Sequence, residues 1–154
     1  MKIRKAGEKD FRGMMMIAKS LSPGWFEKFA IKNTIPIDFR IQKGFVAEEK
    51  KKIVGFITYF SEEGKVKISW MGVKPKLQRK SIGTKLMKRL ETELKEIGIK
   101  ELRVDTLAPR ERYKPYDRTR AFYKKVGFKI EKVAKKKSKD TGEEFELGTY
   151  IKKL

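Results

Sequence analysis

The sequence predicts an α/β fold, in which a mixed, mostly antiparallel sheet of six to seven strands carries about four helices on its two faces. First, the chain has 154 residues, of which 39% are apolar and spread along its length, so residues 1–154 suit one domain with one core. Second, stretches of period two alternate with stretches of helical spacing. Third, their order is strand, two helices, three strands, helix, strand, helix and two strands, which places helices on both faces of a mixed sheet.

The first forty residues predict one strand and two helices. Residues 2–5 alternate charged and apolar side chains, which is typical of a short strand. Residues 8–19 predict a helix whose apolar stripe consists of Phe11, Met14, Met15 and Ala18. A second, short helix begins near Trp25 and is expected to end before Pro36, because proline interrupts helices.

Residues 45–73 predict an antiparallel meander. Three segments with period-two alternation, 45–49, 53–60 and 65–73, are separated by charged turns. Side chains alternate between the two faces of a strand. In the third segment we therefore expect one face to carry Val66, Ile68 and Trp70.

The second half of the chain predicts two helices and three strands. Apolar residues recur every four positions in residues 82–97, and Gly98 supplies a stop, so this segment is the clearest helix. Asp117 is expected to cap another helix, which runs to Val126 and ends at Gly127. Strands are predicted at residues 101–106, 128–134 and 144–152, and a polar loop at residues 107–115.

The composition excludes several classes of enzyme. The chain contains neither cysteine nor histidine, so it lacks the commonest zinc ligands, a thiol nucleophile and the commonest general base. We therefore expect no metal site, and any proton transfer must use carboxylate, tyrosine, lysine, hydroxyl or water. No apolar stretch approaches the roughly 18 residues of a membrane span, and residues 1–10 lack the apolar core of a secretory signal, so we expect a cytoplasmic protein. We expect it to be a monomer or a homodimer.

The charge of the chain predicts an anionic partner. Forty Lys and Arg residues stand against twenty Asp and Glu residues, giving a formal net charge of +20. A nucleotide cofactor with several phosphates would satisfy this field, as would RNA, DNA or an acidic protein. A charged, solvated surface without any partner is the remaining interpretation.

The strongest local signal lies between the third strand of the meander and the clearest helix. A tight loop that enters a helix directs unpaired backbone N–H groups at one point, where the helix dipole favours an anion. Gly83 would let phosphate oxygens approach the backbone, and Arg79 and Lys80 add positive charge. The segment therefore predicts a pyrophosphate site; it reads Val73-Lys74-Pro75-Lys76-Leu77-Gln78-Arg79-Lys80-Ser81-Ile82-Gly83-Thr84.

This segment resembles the signature of the Gcn5-related N-acetyltransferase (GNAT) superfamily, which reads Gln or Arg, two residues, Gly, one residue, then Gly or Ala. Gln78 and Gly83 match that pattern. Ser81 stands where the first glycine is usual, and we do not expect serine to adopt a positive φ easily. Its hydroxyl could instead donate to a phosphate or cap the helix.

A second segment, residues 116–128, resembles the family's pattern of Asn, two residues, Ala, two residues, Phe-Tyr, three residues, Gly-Phe. The matching residues are Phe122, Tyr123, Gly127 and Phe128. Tyr116 replaces the usual asparagine and Thr119 the usual alanine. The resemblance thus covers residues 73–98 and 116–128 most closely.

The resemblance implies an acetyl-CoA-dependent N-acetyltransferase whose sheet is splayed between the strands ending at Val73 and Thr106. The pantetheine arm would then lie beside the backbone of Met71 and Val73. The pyrophosphate would be surrounded by Gln78, Arg79, Lys80, Ser81, Ile82, Gly83 and Thr84. A backbone N–H near Met71 would stabilise the oxyanion. An amine would attack the thioester directly, without an acyl-enzyme.

Two side chains are candidates for proton transfer. Tyr123 matches the family position that gives the departing thiolate a proton or hydrogen bond. Asp105, at the carboxyl end of its strand, is the best fixed acceptor for the amine's proton, with Glu111 second and water as a relay. Either carboxylate could also be an ordinary surface group.

The acceptor is expected to be a small-molecule amine or a protein amine, and the sequence does not identify it. In the family the acceptor is selected by the first two helices and the late loops, which here are residues 14–39 and 107–115. Within the first of these ranges, Trp25, Phe26 and Phe29 either line a pocket or belong to the core.

The alternative function is a basic nucleic-acid-binding module without catalysis. It is supported by the charge and by the aromatic and basic cluster of Arg112, Tyr113, Lys114 and Tyr116.

Overall fold

The computed structural model describes residues 1–108 and 114–154 of the chain. The strands are β1 (Lys2–Lys5), β2 (Lys43–Glu49), β3 (Lys52–Glu62), β4 (Lys65–Val73), β5 (Glu101–Leu107), β6 (Lys129–Lys137) and β7 (Glu144–Lys153). The α-helices are α1 (Phe11–Ser20), α2 (Ile35–Ile41), α3 (Ile82–Glu96) and α4 (Lys114–Lys125). Short 3₁₀ turns occupy Glu8–Asp10 and Pro75–Leu77.

The strands form one mixed sheet in the order β1-β2-β3-β4-β5-β7-β6. Neighbouring strands are antiparallel except for β4 and β5, which run parallel because helix α3 connects them. The fold class predicted from the order of elements is therefore confirmed.

The helices cover both faces of the sheet, as predicted. Phe45 and Ile57 pack in the cluster that contains the stripe of α3, whereas their chain neighbours Val46 and Phe56 pack against α1. Tyr123 of α4 belongs to the α3 cluster. Since adjacent side chains of a strand point to opposite faces, α1 and α2 lie on one face and α3 and α4 on the other.

The parallel pair β4–β5 separates halfway along its length. Its register runs only from Val66 opposite Leu102 to Ile68 opposite Val104. Beyond this point β4 continues to Val73 alongside β3, and β5 continues to Leu107 alongside β7. The sheet therefore opens between the carboxyl ends of β4 and β5, which is the splay that the family resemblance implied.

A bulge in β4 overturns one expectation from its alternation. Ile57 pairs with Met71 but Tyr59 pairs with Ile68, so two residues of β4 oppose one residue of β3. Val66 and Ile68 consequently face α3, whereas Trp70 packs on the α1 side. The prediction that these three share a face was wrong, because a bulge resets the period of two.

The second helix also differs from its prediction. The helical backbone does not end before Pro36 but runs through a π-helical segment, Ala30–Thr34, into α2, with Pro36 in its first turn. Proline lacks an N–H, and its ring collides with the preceding turn of an α-helix. Before Pro36, the wider π-helical segment lies where that turn would be, so the helical backbone continues.

The last helix begins earlier than expected. It starts at Lys114, so Asp117 is not its cap but lies in the first turn and accepts a hydrogen bond from Arg120 at 2.6 Å. Residues 109–113, including Glu111, Arg112 and Tyr113, lie outside the described residues. The predictions for those three side chains therefore remain predictions.

Candidate active site

A cleft of about 550 Å³ lies at the splay and extends to both faces of the sheet. Its wall on the α1 side includes Leu21, Trp25 and Phe26, and its wall on the α4 side includes Phe122 and Tyr123. Its middle is formed by the separated ends of the strands, residues 69–73 and 104–106. The loop residues that line it are Leu77, Gln78, Arg79, Ser81, Ile82, Gly83 and Thr84.

The free edge of β4 presents backbone groups to this cleft. The N–H of Lys74 donates to the carbonyl of Val54 on β3 at 2.9 Å, and Gly72 pairs with Phe56. Backbone groups of successive residues point to opposite edges of a strand. The N–H and C=O groups of Met71 and Val73 therefore point away from β3 and into the splay. The carbonyl of Val73 accepts a hydrogen bond from Nε2 of Gln78 at 3.3 Å.

The N-terminus of α3 opens onto the same cleft. The first intrahelical bond runs from the N–H of Lys85 to the carbonyl of Ser81 at 3.0 Å. The N–H groups of Ile82, Gly83 and Thr84 precede it and so have no partner within the helix. Arg79 lines the cleft beside them, whereas Lys80 is exposed and does not line it.

Gly83 brings this helix close to its neighbours. A Cβ placed on Gly83 would lie 3.3 Å from Cε of Met71 and 3.4 Å from Cε1 of Phe122. A side chain here would therefore crowd the space between β4, α3 and α4. The glycine keeps the helix terminus close to the splay.

The conformation of Ser81 overturns the expectation that a serine would avoid positive φ. Ser81 adopts φ 65° and ψ 12° at the N-cap of α3, and Arg79 also has φ 65°. Left-handed backbone costs a residue with a Cβ about 1–2 kcal/mol, and the burial of Ile82 and Leu86 in the core holds the helix in place against that cost. The Ser81 hydroxyl does not cap the helix.

Tyr123 is fixed by aromatic packing on the α4 side of the cleft. Its ring lies edge-on to Phe122 and Phe128, each with centroids 5.4 Å apart, and only 6% of the residue is exposed. Burial, and secondarily the neighbouring Tyr116, raises the pKa of its hydroxyl. The hydroxyl therefore stays protonated throughout the neutral pH range.

Asp105 lies on the opposite face of the sheet. Leu102 and Val104 face α3, so alternation directs Asp105 to the α1 side. Its carboxylate accepts hydrogen bonds from Nζ of Lys67 at 2.9 Å and from the Thr149 hydroxyl at 2.8 Å. The side chain keeps 29% of its exposure and lines the cleft. Tyr123 and Asp105 thus approach the splay from its two sides.

One buried hydroxyl in the cleft has unmet hydrogen-bonding capacity. Oγ1 of Thr106, on the splayed end of β5, is buried without a partner among the described residues. An unpaired buried polar group destabilises a folded protein by about 1–3 kcal/mol. Such a group in a cleft is expected to gain its partner from a ligand.

Sequence reasoning missed a link that crosses the cleft. Nε1 of Trp25 donates to the carbonyl of Pro115 at 3.0 Å, and the Tyr116 hydroxyl donates to the carbonyl of Trp25. Tyr116, which replaces the asparagine of the family pattern, thus ties the segment after α1 to the start of α4. The substitution itself was the only signal in the sequence. Phe26 lines the cleft, whereas Phe29 does not.

The chain is similar to known proteins in sequence and in fold. The profile of the acetyltransferase (GNAT) domain matches residues 41–130. No match was found among curated protein sequences. None of the helices in the described parts of the chain combines the length and apolarity that crossing a membrane requires.

Solved acetyltransferase structures share the fold. A probable acetyltransferase from Staphylococcus epidermidis superposes with a TM-score of 0.81 at 16% identity, covering 99% of this chain and 98% of the other. A ribosomal-protein-alanine N-acetyltransferase from Brucella melitensis gives 0.76 at 21%, with full coverage of both chains. An aminoglycoside 6′-N-acetyltransferase in complex with coenzyme A gives 0.74 at 18%, covering 99% and 97%. The match to the domain profile spans more than half of the sequence, and the chain therefore belongs to the acetyltransferase (GNAT) family of N-acetyltransferases.

Proposed function

We propose that residues 1–154 form one domain that transfers an acetyl group from acetyl-CoA to a primary amine by direct attack on the thioester. The observation that carries the proposal is the splay between β4 and β5, which joins the open N-terminus of α3, the edge of β4 and Tyr123 in one cleft. A strand-to-helix loop with only a packing role would not require the sheet to open there.

The residues present fit the cosubstrate. The N–H groups of Ile82, Gly83 and Thr84, which have no partner within the helix, form an anion site for the pyrophosphate with the Arg79 guanidinium. The edge of β4 at Met71 and Val73 offers backbone donors and acceptors to the amides of the pantetheine arm. Thr106 supports the same path, because an amide in the cleft would satisfy its buried hydroxyl.

The reaction needs an oxyanion donor and a partner for the departing sulfur. The neutral amine nitrogen forms a bond to the carbonyl carbon, and the carbonyl oxygen becomes an oxyanion stabilised by the Met71 N–H. The C=O bond then re-forms as the C–S bond breaks with its electron pair on sulfur, and the proton that the nitrogen still has to lose passes to the thiolate to give the free thiol. The ordinary pKa of a tyrosine, about 10, already exceeds that of a thiol, about 8.5, and burial raises the pKa of Tyr123 further, so full proton transfer to the thiolate is unfavourable. Tyr123 therefore stabilises the thiolate as a hydrogen-bond donor.

Asp105 assists the amine on the other face of the sheet. An ammonium ion must lose a proton before it can attack, and Asp105 is a carboxylate of the cleft wall on the α1 side. Its partner Lys67 is a point charge with rotatable donors, so an incoming ammonium can replace it at the carboxylate. The proton then passes to Asp105 directly or through water.

The acceptor is a primary amine whose identity is open. By their names, one structural neighbour acts on the alanine of a ribosomal protein and another on an aminoglycoside. Both substrates are amines, and they differ widely in size. We infer that Leu21, Trp25 and Phe26, which line the cleft on the α1 side where Asp105 also lies, contact the acceptor.

A thermal-shift measurement tests the cosubstrate site. Acetyl-CoA at about 100 times its Kd is expected to stabilise the protein by roughly 2.7 kcal/mol, and desulfo-coenzyme A should also bind. Thr84→Asp should abolish the shift while preserving the fold, because an acidic residue suits a helix N-terminus but repels phosphate. Thr84→Asn is the matched neutral control. An equal shift in Thr84→Asp and Thr84→Asn would refute the pyrophosphate site.

A kinetic measurement tests Tyr123. With a confirmed acceptor, Tyr123→Phe should lower kcat while leaving acetyl-CoA binding unchanged, because only the leaving sulfur loses its donor. Thiol release at the wild-type rate would show that the ring serves packing alone.

A further inference from the structure

A second groove, of about 570 Å³, lies between the start of the helical segment after α1 and the turn joining β6 to β7. Its walls carry Lys28, Phe29, Lys32 and Asn33 on one side and Lys139 on the other. Phe29 does not line the active-site cleft, and 42% of it is exposed. The groove is thus separate from the proposed catalytic residues and lies on the α1 side of the sheet.

Reciprocal hydrogen bonds fix the two walls. Both oxygens of Asp140 accept backbone N–H groups, from Lys28 at 2.7 Å and from Phe29 at 2.9 Å. In return the Glu27 carboxylate accepts the Ser138 hydroxyl at 2.5 Å and the Lys139 N–H at 3.2 Å. Both carboxylates are occupied by neutral donors and keep their negative charge, and of the two only Asp140 lines the groove, so three lysines face one lining carboxylate.

The groove is consequently cationic. Within residues 1–108 and 114–154, no carboxylate pairs with the ammonium groups of Lys28, Lys32 or Lys139. Lys28 and Lys32 lie one helical turn apart and flank Phe29. An exposed aromatic ring among unpaired lysines combines a stacking surface with phosphate contacts. The net charge of +20 adds long-range attraction for a polyanion.

We propose that this groove binds a single-stranded polynucleotide, with a base stacked on Phe29 and backbone phosphates on the three lysines. Asn33 also lines the groove, and its Nδ2 donates to the Phe29 carbonyl at 3.0 Å, which leaves its amide oxygen for a base edge. Duplex does not fit this pattern, since its bases are not available for stacking.

Fluorescence anisotropy of labelled 12-nucleotide oligouridylate and oligodeoxyuridylate, which differ only in the sugar, tests the proposal and separates RNA from DNA. Combined Lys28→Ala, Lys32→Ala and Lys139→Ala should weaken binding at least about tenfold and reduce the salt slope by about two, since each phosphate contact on a single strand contributes about 0.7. Phe29→Ala should weaken binding at least about fivefold without changing the slope. A preference for one oligonucleotide would identify the sugar.

A matched control removes the same charge elsewhere. Lys88, Lys95 and Lys100 are exposed on and just beyond α3, on the opposite face of the sheet. Their combined change to alanine should alter affinity less than about twofold. Equal losses in both triple variants, unchanged affinity in Phe29→Ala, or no binding by the wild type at about 50 mM salt would each overturn the proposal. The acetyl-CoA thermal shift should persist in all variants, so failure here is distinguishable from failure of the proposed enzyme.

Discussion

Two polar regions of the molecule differ in whether their hydrogen-bonding groups are paired within the protein. At the corner formed by Arg4, Asp10 and Glu48, Arg4 binds both oxygens of Asp10 at 2.8 Å and Oε1 of Glu48 at 2.8 Å. The Gly7 N–H also donates to Asp10, which is only 3% exposed. In the cleft, Oγ1 of Thr106 has no partner among residues 1–108 and 114–154, and the first N–H groups of α3 have none within their helix.

This difference indicates that the corner contributes to stability and the cleft to function. The corner satisfies its charges within the protein, and the planar fork of Arg4 suits two carboxylates at fixed positions. The cleft leaves capacity unmet and holds Asp105 by a single lysine and a hydroxyl, an arrangement that a ligand can complete or replace. Substitutions should therefore affect folding at the corner and binding or turnover in the cleft.

The largest effect is expected when the corner loses its cation. Arg4→Met should lower the free energy of unfolding by about 3–5 kcal/mol, because it leaves Asp10 buried and unpaired beside Glu48. Lys67→Met is the comparison in the cleft and should cost less than about 1 kcal/mol, since both members of that pair are partly exposed. Urea unfolding measures both, and equal losses would remove the distinction between the regions.

In the cleft, Asp105→Asn should lower kcat/KM by about 100-fold near neutral pH with a confirmed acceptor. The loss should shrink as the pH approaches the pKa of the amine, because the acceptor then arrives already deprotonated. Stability and acetyl-CoA affinity should stay near those of the wild type. Asp117→Asn, on the exposed face of α4, is the control and should retain activity. A similar loss in both variants would exclude a specific role for Asp105.

Acidification should weaken the ion pairs of the corner. Burial raises the pKa of Asp10, but the hydrogen bonds from Arg4 and the Gly7 N–H outweigh it, so the net pKa lies below its ordinary value. The hydrogen bond from Arg4 likewise lowers the pKa of Glu48. This stability is complete above the ordinary carboxyl pKa of about 4 and declines as the pH falls further. Urea unfolding at pH 7 and pH 3 should show a smaller decline for Asp10→Asn than for the wild type.

The unmet hydroxyl of the cleft should give effects of opposite sign on stability and binding. Thr106→Val removes a buried group without a partner, so the free energy of unfolding should rise by about 1 kcal/mol, while the stabilisation by acetyl-CoA should decrease. Thr149→Val is the control, because its hydroxyl already donates to Asp105 and its loss should destabilise. A destabilised Thr106→Val with unchanged cosubstrate binding would show that the hydroxyl has another partner.

Local patterns in the sequence predicted the helices, the strands and the loop between β4 and α3. They did not predict contacts between segments that are distant along the chain. The spacing of Leu86, Leu90 and Leu94 locates α3 because one face of a helix must be apolar. Asp105, in contrast, meets Lys67 and Thr149, which lie 38 and 44 residues away along the chain. The bulge in β4 was also hidden, since no glycine or proline marks it.

The backbone of Ser81 gives the smallest expected effect and the clearest test of strain in the cleft. At φ 65° a glycine avoids the steric cost of a Cβ in the left-handed region, which stabilises the folded protein. Glycine also gives the unfolded chain more conformational freedom, which offsets part of that gain. Ser81→Gly should therefore raise the free energy of unfolding by between zero and about 1 kcal/mol. Ser81→Ala keeps the Cβ and should match the wild type, because the hydroxyl caps nothing. A loss near 1 kcal/mol in Ser81→Ala would instead reveal a cap. Acetyl-CoA should still bind both variants, because the phosphate donors are main-chain groups whose direction the loop itself sets.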